Sequence, residues 1–436
     1  MASLLIKGGR VVSPEDGLDG NLDVLVENGV VRRVAPDLAL RADETLDARG
    51  QVVSPGFIDL HVHLREPGDS DSETLETGLA AAVAGGFTAV CAMPNTRPVN
   101  DCVEATRALI ERARQVGLAR VFPVAAVSAG SEGETLTDFS SLAQAGAVAF
   151  SDDGRPVKTA GLMRRAFQAA RPLGFPVIEH CEDPSLSAGG VVNEGEVAER
   201  LGLRGIPNTS EEVCLARDLV LAEDTGARLH VAHLSTRGAL EMVRAAKRRG
   251  IRVTCEVTPH HFTLTEESVI QYGAHAKMNP PLRGAEDVKA IVAGIADGTV
   301  DAIATDHAPH APPLKAKPLD EAPFGIIGLE TALGLALTHL GHTDKVSLWQ
   351  LVVLLSANPS RIINRIGDPA LGEIRVGGAA DLTVFNPEVA WTYRAAEGRS
   401  RSRNSPFDGC KLRGAVTATI VAGKIVYRRS AARQAV

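Results

Sequence analysis

PGFIDLHVHL, residues 55–64, is a short apolar run entered through Pro55-Gly56 and left through histidines. Seven runs of the same kind follow: GFTAVCAMPN (86–95), ARVFPVAAV (119–127), AVAFSDD (147–153), PVIEHC (176–181), ARLHVAHLS (227–235), RVTCEVTPH (252–260) and VDAIATDH (300–307). Stretches of helical period separate them, which is the pattern of βα units around a parallel sheet. Eight such units predict a closed barrel in which all strand C-termini open on one face. In the helical stretch DCVEATRALIERARQVG (101–117), Asp101 with Glu104 reads as a capping box and Gly117 as the stop.

The flanks read differently. LLIKGGRVVSPEDG (4–17) and LDVLVENGVVRRVAP (22–36) look like hairpin strands, with Asn28-Gly29 as a favoured turn. DLTVFNP (381–387) and AVTATIVAGKIVYR (415–428) are again strand-like. The expected fold is therefore α/β: a (β/α)8 TIM barrel over 55–365, with a small β-sandwich domain built from 1–54 and 366–436. The proline-rich stretch APPLKAKPLDEAPFG (311–325) reads equally as a lid or as a solvated connection.

With 44% apolar and 23% charged residues, the 436-residue chain is globular rather than disordered. A net charge of -7 gives no general attraction for nucleic acid or anionic lipid, and no apolar run reaches membrane-spanning length. The arginine cluster RSRSRN (399–404) reads as a solvated or internally paired surface. Six cysteines without a regular spacing, and a start without signal-peptide features, predict reduced thiols in the cytoplasm.

The polar residues at the strand ends carry the chemistry. His61 and His63 are two apart on one strand, so their side chains leave the same face. Asp153, His180, His233 and Asp306 each end a different predicted strand. A barrel would gather all six at one mouth, and four imidazoles with two carboxylates suit zinc. Six ligands exceed the need of one four-coordinate ion, so two ions are expected, with Asp153 as the candidate bridge. Asp152 should point away, and His230, three before His233, should face the helices. His260 and His261 are expected to make local structural hydrogen bonds. Cys181 should alternate away from the site, and Cys91 reads as a small buried apolar group.

DLHVHLREPG, AMPNT, FSDDG, IEHCED, VAHLST, VTPHHF, KMNPPLR and ATDHAPH together resemble the dihydroorotases, a family of the amidohydrolase superfamily. HxH alone would indicate only the superfamily, which includes hydantoinases and allantoinases; Arg65, Asn95 and Asn279 narrow the resemblance. It implies a zinc-dependent, reversible cyclisation of N-carbamoyl-L-aspartate to (S)-dihydroorotate and water in de novo pyrimidine (UMP) biosynthesis.

By the same resemblance His61, His63 and Asp306 would hold one zinc, and His180 and His233 the other, with Asp153 and a hydroxide between them. Asp306 would act as general base and then acid. Arg65, Asn95 and His310 would hold the substrate carboxylate, with Asn279 and Phe324-Gly325 against the ring or ureido group. From spacing alone, Arg65 could instead pair with Glu66 or Asp69, and Asn95 and Asn279 could be turn residues. Relatives that bridge their metals with a carboxylated lysine lack a counterpart here, because Lys158 lies past the fourth strand end and reads as a surface residue. The implied partners are the small-molecule substrate, a second copy in a homodimer, and aspartate carbamoyltransferase. The competing readings are a hydantoinase or allantoinase, and a non-catalytic partner of that carbamoyltransferase.

Overall fold

The computed structural model describes residues 3–364 and 370–430, so the expected boundary at 365/366 lies outside the described residues. All eight expected barrel strands are present, each shorter than its apolar run: Phe57–Val62, Phe87–Ala92, Arg120–Ala125, Ala149–Phe150, Pro176–Glu179, Arg228–Val231, Val253–Val257 and Ala302–Ile303. They pair in parallel in chain order. The ring closes through a parallel bridge between Val62 and His307 and a hydrogen bond from His63 N to His307 O (2.9 Å). Strand alternation splits the core into two clusters. Val90, Val177, Val231 and Val257 pack into the main cluster shared with the helices, while Leu60, Cys91, Val124, Ile178 and Ala302 form a second, with residues of small volume prominent, filling the barrel interior.

Strands from both chain ends form a second, eight-stranded sheet, with Val52–Pro55 paired antiparallel to Leu382–Thr392. The long first strand, Ser3–Ser13, changes partner partway: Leu4–Lys7 pair with Glu44–Asp47, and Arg10–Val11 with Val52–Val53. Register breaks between Ile6 and Gly9, where Lys7 and Gly8 form a bulge that bends the strand, and both halves share one apolar cluster that includes Ile6, Val24, Val53, Leu382 and Ile420. Asn28 and Gly29 both have positive φ (53° and 79°), as the hairpin turn requires. The sheet is fixed to the barrel by Gly56 N donating to Asp381 O (2.8 Å) and by the Arg120–Asp381 ion pair (2.6 Å).

One local expectation fails. The helix Val103–Val116 starts after Cys102, with no side-chain cap, because the Asp101 carboxylate is engaged by Gly130 N (2.8 Å) across the next loop. Its C-terminal end is as expected, with Gly117 in the left-handed region at φ 68°. The 311–325 stretch holds a single helical turn, Pro312–Lys315, and otherwise follows an irregular path beside the barrel mouth.

Candidate metal centre

The barrel brings all six strand-end residues together. His61 Nε2 lies 3.3 Å from Asp153 Oδ1 and 3.6 Å from Asp306 Oδ1. His63 Nε2 lies 3.0 Å from Asp306 Oδ1 and 3.5 Å from Asp153 Oδ2. His233 Nε2 and His180 Nδ1 approach Asp153 Oδ1 at 3.6 and 3.8 Å and one another at 2.9 Å. Asp153 therefore touches every imidazole of the set, the position a bridging carboxylate needs. All six side chains are buried.

Two observations test whether this set fits a metal. Ligands bound tetrahedrally at ~2.0–2.1 Å stand ~3.3 Å apart, and most of the spacings above fall near that value. Three buried donor atoms, His61 Nε2, Asp153 Oδ1 and His233 Nδ1, have no hydrogen-bond partner, although burial without a partner is costly. The first two face the centre of the cluster. Electrostatics agree. Burial disfavours the charged form of His61, but Asp153 and Asp306 outweigh it and raise its proton affinity well above the ordinary value. At 3.3 Å and an effective dielectric of ~20, one such charge pair is worth on the order of 5 kcal/mol. The cluster thus attracts positive charge, and the donor set fits a metal cofactor.

Each of three histidines is held by its other nitrogen. His61 Nδ1 is 2.9 Å from Glu256 Oε1, His63 Nδ1 is 2.9 Å from Asn95 Oδ1, and His180 Nε2 is 2.8 Å from Glu182 Oε2. Such contacts fix tautomer and ring orientation in metal sites. Asp59, beneath them, accepts from His61 N and Thr305 N (both 3.1 Å) and from Thr305 Oγ1 (2.6 Å), tying the first strand to the last. Arg65, His233 and Asp306 have φ of 60°, 32° and 45°. Non-glycine residues in that region are strained, and three of them meet at this mouth.

Above the cluster lies a cavity of about 310 Å³, at the small end of the ~300–1,000 Å³ typical of ligand pockets. Arg65, Asn95, Asn279, His310, Phe324 and Gly325 all line it, as do His63, Asp153, His180, His233 and Asp306; His61 sits below. Arg65 pairs with neither Glu66 nor Asp69; its Nε donates to Pro309 O (3.1 Å). Asn279 Nδ2 donates to Glu182 Oε2 (2.9 Å). His310 Nε2 donates to Phe324 O (2.6 Å), and burial followed by the Arg65 charge lowers its pKa to about 3, so it is neutral.

The chain as a whole has close relatives. A family model described as dihydro-orotase-like matches residues 50–239. A dihydroorotase of Syntrophus aciditrophicus is 48% identical over 427 residues, covering 98% of this chain and 99% of that protein. One from Anaeromyxobacter dehalogenans is 51% identical over 432 residues, with the same coverage. The chain belongs to the dihydroorotase family. Among solved structures, the L-hydantoinase (dihydropyrimidinase) of Arthrobacter aurescens superposes with a TM-score of 0.88 at 26% identity, covering 98% of this chain and 96% of that one.

Within this dihydroorotase-family barrel several expectations need correction. His230 does not face the helices. It is fully buried in the barrel interior, with Nε2 3.1 Å from Glu256 Oε2 and Nδ1 2.8 Å from Thr254 Oγ1. Its strand ends at Val231, and His233 has left the extended path, so parity counted back from His233 misleads. His261 is locally satisfied by Thr258 and Pro280, but the neighbouring His260 is buried with no partner for Nε2. Other expectations hold: Asp152 turns to Ser128 N (3.0 Å), Cys181 faces Cys214 and Asp218, and Lys158 is exposed. The arginine-rich run is internally engaged. Its Asn404 supports the mouth, donating to Ala308 O (2.9 Å) and Gly325 O (3.0 Å).

Sequence reasoning missed Glu182 and Glu256, although each left a signal: Glu182 lies two after His180 in IEHCED, and Glu256 is a carboxylate within the apolar run RVTCEVTPH. Burial alone would raise the pKa of Glu256, but its contacts with His230 and His61 bring it to about 2, so it stays charged beneath the centre. Glu256→Gln keeps the shape and removes that charge. Metal affinity is expected to fall about 10- to 100-fold, read by competition with a chelator; unchanged affinity would remove Glu256 from any role in orienting His61.

Proposed function

We propose that this chain is a zinc-dependent dihydroorotase that interconverts N-carbamoyl-L-aspartate and dihydroorotate. The observation that carries the reading is the cavity itself: a floor of four imidazoles and two carboxylates below, and the Arg65 guanidinium in the wall above. His61, His63 and Asp306 would hold one zinc and His180 with His233 the second, with Asp153 shared between them. Bound there, divalent zinc would acidify a water toward a pKa of ~7 and polarise the carbonyl under attack.

The protein's own groups supply binding and proton transfer. Among the described residues Arg65 has no carboxylate in salt-bridge distance, so its fork is available to a substrate carboxylate in bidentate fashion. Neutral His310 offers a polar contact beside it without repelling that anion or adding charge. Asp306 is buried at the centre, and although burial works against its charge, His61 and His63 hold its carboxyl well below the ordinary range. It is therefore ionised and able to accept the proton of the attacking water. Delivering the same proton to the departing ring nitrogen completes ring opening, and the reverse order serves cyclisation. Asn279, anchored on Glu182, offers its amide to the ring or ureido group.

The test is metal quantification on active protein coupled to ultraviolet detection of dihydroorotate, with hydantoin and allantoin assayed alongside. Dihydroorotate turnover should exceed that of both rings, disappear on chelation and return with zinc. Faster hydantoin or allantoin opening, or full activity without metal, would reject the reading.

A further inference from the structure

Lys277 and Lys315 are buried, at 3% and 4% exposure, and among the described residues neither forms an ion pair with a carboxylate. Burying a lysine amine without a counter-ion is unfavourable, as a charge or through a lowered proton affinity, so a function other than packing is expected of it. Both side chains are instead directed at backbone oxygens of one short segment. Lys277 Nζ donates to Ala322 O (2.6 Å) and Asp320 O (3.3 Å), and Lys315 Nζ to Pro323 O and Gly325 O (both 3.0 Å). The Lys277 ammonium also lies 4.5 Å from the centre of the Phe324 ring, and its carbonyl accepts Gly325 N (2.9 Å).

This segment has no regular secondary structure over Pro323, Phe324 and Gly325, so no ladder holds it. Its shape is set by these contacts, with Asn404 on Gly325 O and His310 on Phe324 O completing them. Phe324 and Gly325 form part of the cavity wall. Gly325 also packs closely on its neighbours: a Cβ there would come within 2.6 Å of Ala308 O and 2.7 Å of the His310 ring. A shift of the segment would therefore reach both the wall and His310.

We propose that Lys277 and Lys315 are positioning residues that hold the Phe324–Gly325 wall at the depth where it closes over the substrate ring, and so act on substrate binding rather than on bond breaking. The proposal rests on the dihydroorotase reading of the cavity. Neither lysine touches the metal-binding set, which makes a separation of KM from kcat its signature.

The experiment compares wild type, Lys315→Met, Lys277→Met and Lys315→Arg in steady-state dihydroorotate assays at pH 8, with metal content measured on each. Burial, followed by the charge of Lys277, lowers the Lys315 pKa to about 7, so at pH 8 loss of its donors is read with little loss of charge. Each methionine variant should raise KM about tenfold, since small misplacements of positioning groups carry large effects, and leave kcat within about twofold. Metal content should match wild type. Lys315→Arg, whose fork can serve both carbonyls, should recover at least half of the loss on a logarithmic scale. Wild-type KM in both methionine variants would overturn the proposal, as would a fall in kcat accompanied by metal loss. Should one methionine variant fail to fold, the other decides. Wild-type turnover is measured first, which distinguishes failure of the positioning role from failure of the functional reading; if hydantoin proves to be the substrate, the same split is read with hydantoin.

Discussion

Asp306→Asn is expected to lower kcat at least ~10³-fold while keeping a substantial part of the metal, because general acid–base catalysis contributes ~10²–10⁴-fold and the proposed reaction gives this carboxylate both roles. The amide is isosteric and retains a carbonyl oxygen where Asp306 Oδ1 meets His63 Nε2 at 3.0 Å and His61 Nε2 at 3.6 Å. It cannot accept a proton from water at neutral pH. The strained φ of 45° at this position is set by the backbone and should survive the substitution, with asparagine among the residues that tolerate the left-handed region best. Turnover is read by the ultraviolet assay on protein of known metal content. Near-normal kcat in a metal-replete variant would remove Asp306 from proton transfer.

Asp153→Ala should have a different signature: metal and activity disappear together. Among the described residues, Asp153 is the one carboxylate within 3.3–3.8 Å of His61, His63, His180 and His233. Without it the two halves of the cluster lose their shared acceptor, and four buried imidazoles face one another with less negative charge among them. Metal content per chain should drop below one ion, and turnover should fall by at least ~10³-fold, since in the proposed reaction the metal would supply the nucleophile. A variant that retains two ions per chain would show that Asp153 bridges nothing. The pair of substitutions separates holding the metal from moving the proton.

Much of the fold was legible locally. All eight barrel strands appear where apolar runs lie between helical stretches, and the Asn28-Gly29 turn follows from the φ its residues tolerate. The six clustered residues were legible because each is a polar group closing an apolar strand, where packing gives it no purpose. Adjacent residues did diverge at Asp152 and Cys181 although both lie past their strand ends, whereas the three-residue count back from His233 failed for His230, because His233 at φ 32° has left the extended path on which alternation rests. The capping role of Asp101 failed for a related reason. A carboxylate can satisfy any nearby N–H, and Gly130, 29 residues on, competes for it.

What the sequence by itself determined is the identity of the reactive groups, their order along the chain and the face on which they end, all consequences of periods of 2 and 3.6 residues that bind neighbours to neighbours. Only the tertiary structure decided which nitrogen of each imidazole turns inward and which carboxylate holds the other. His61 and Glu256 are 195 positions apart, and the Lys315 that fixes the cavity wall looks in sequence like any lysine in a polar loop. Such pairings depend on through-space distance across a closed ring, and a repeating pattern along one strand carries no record of what lies opposite.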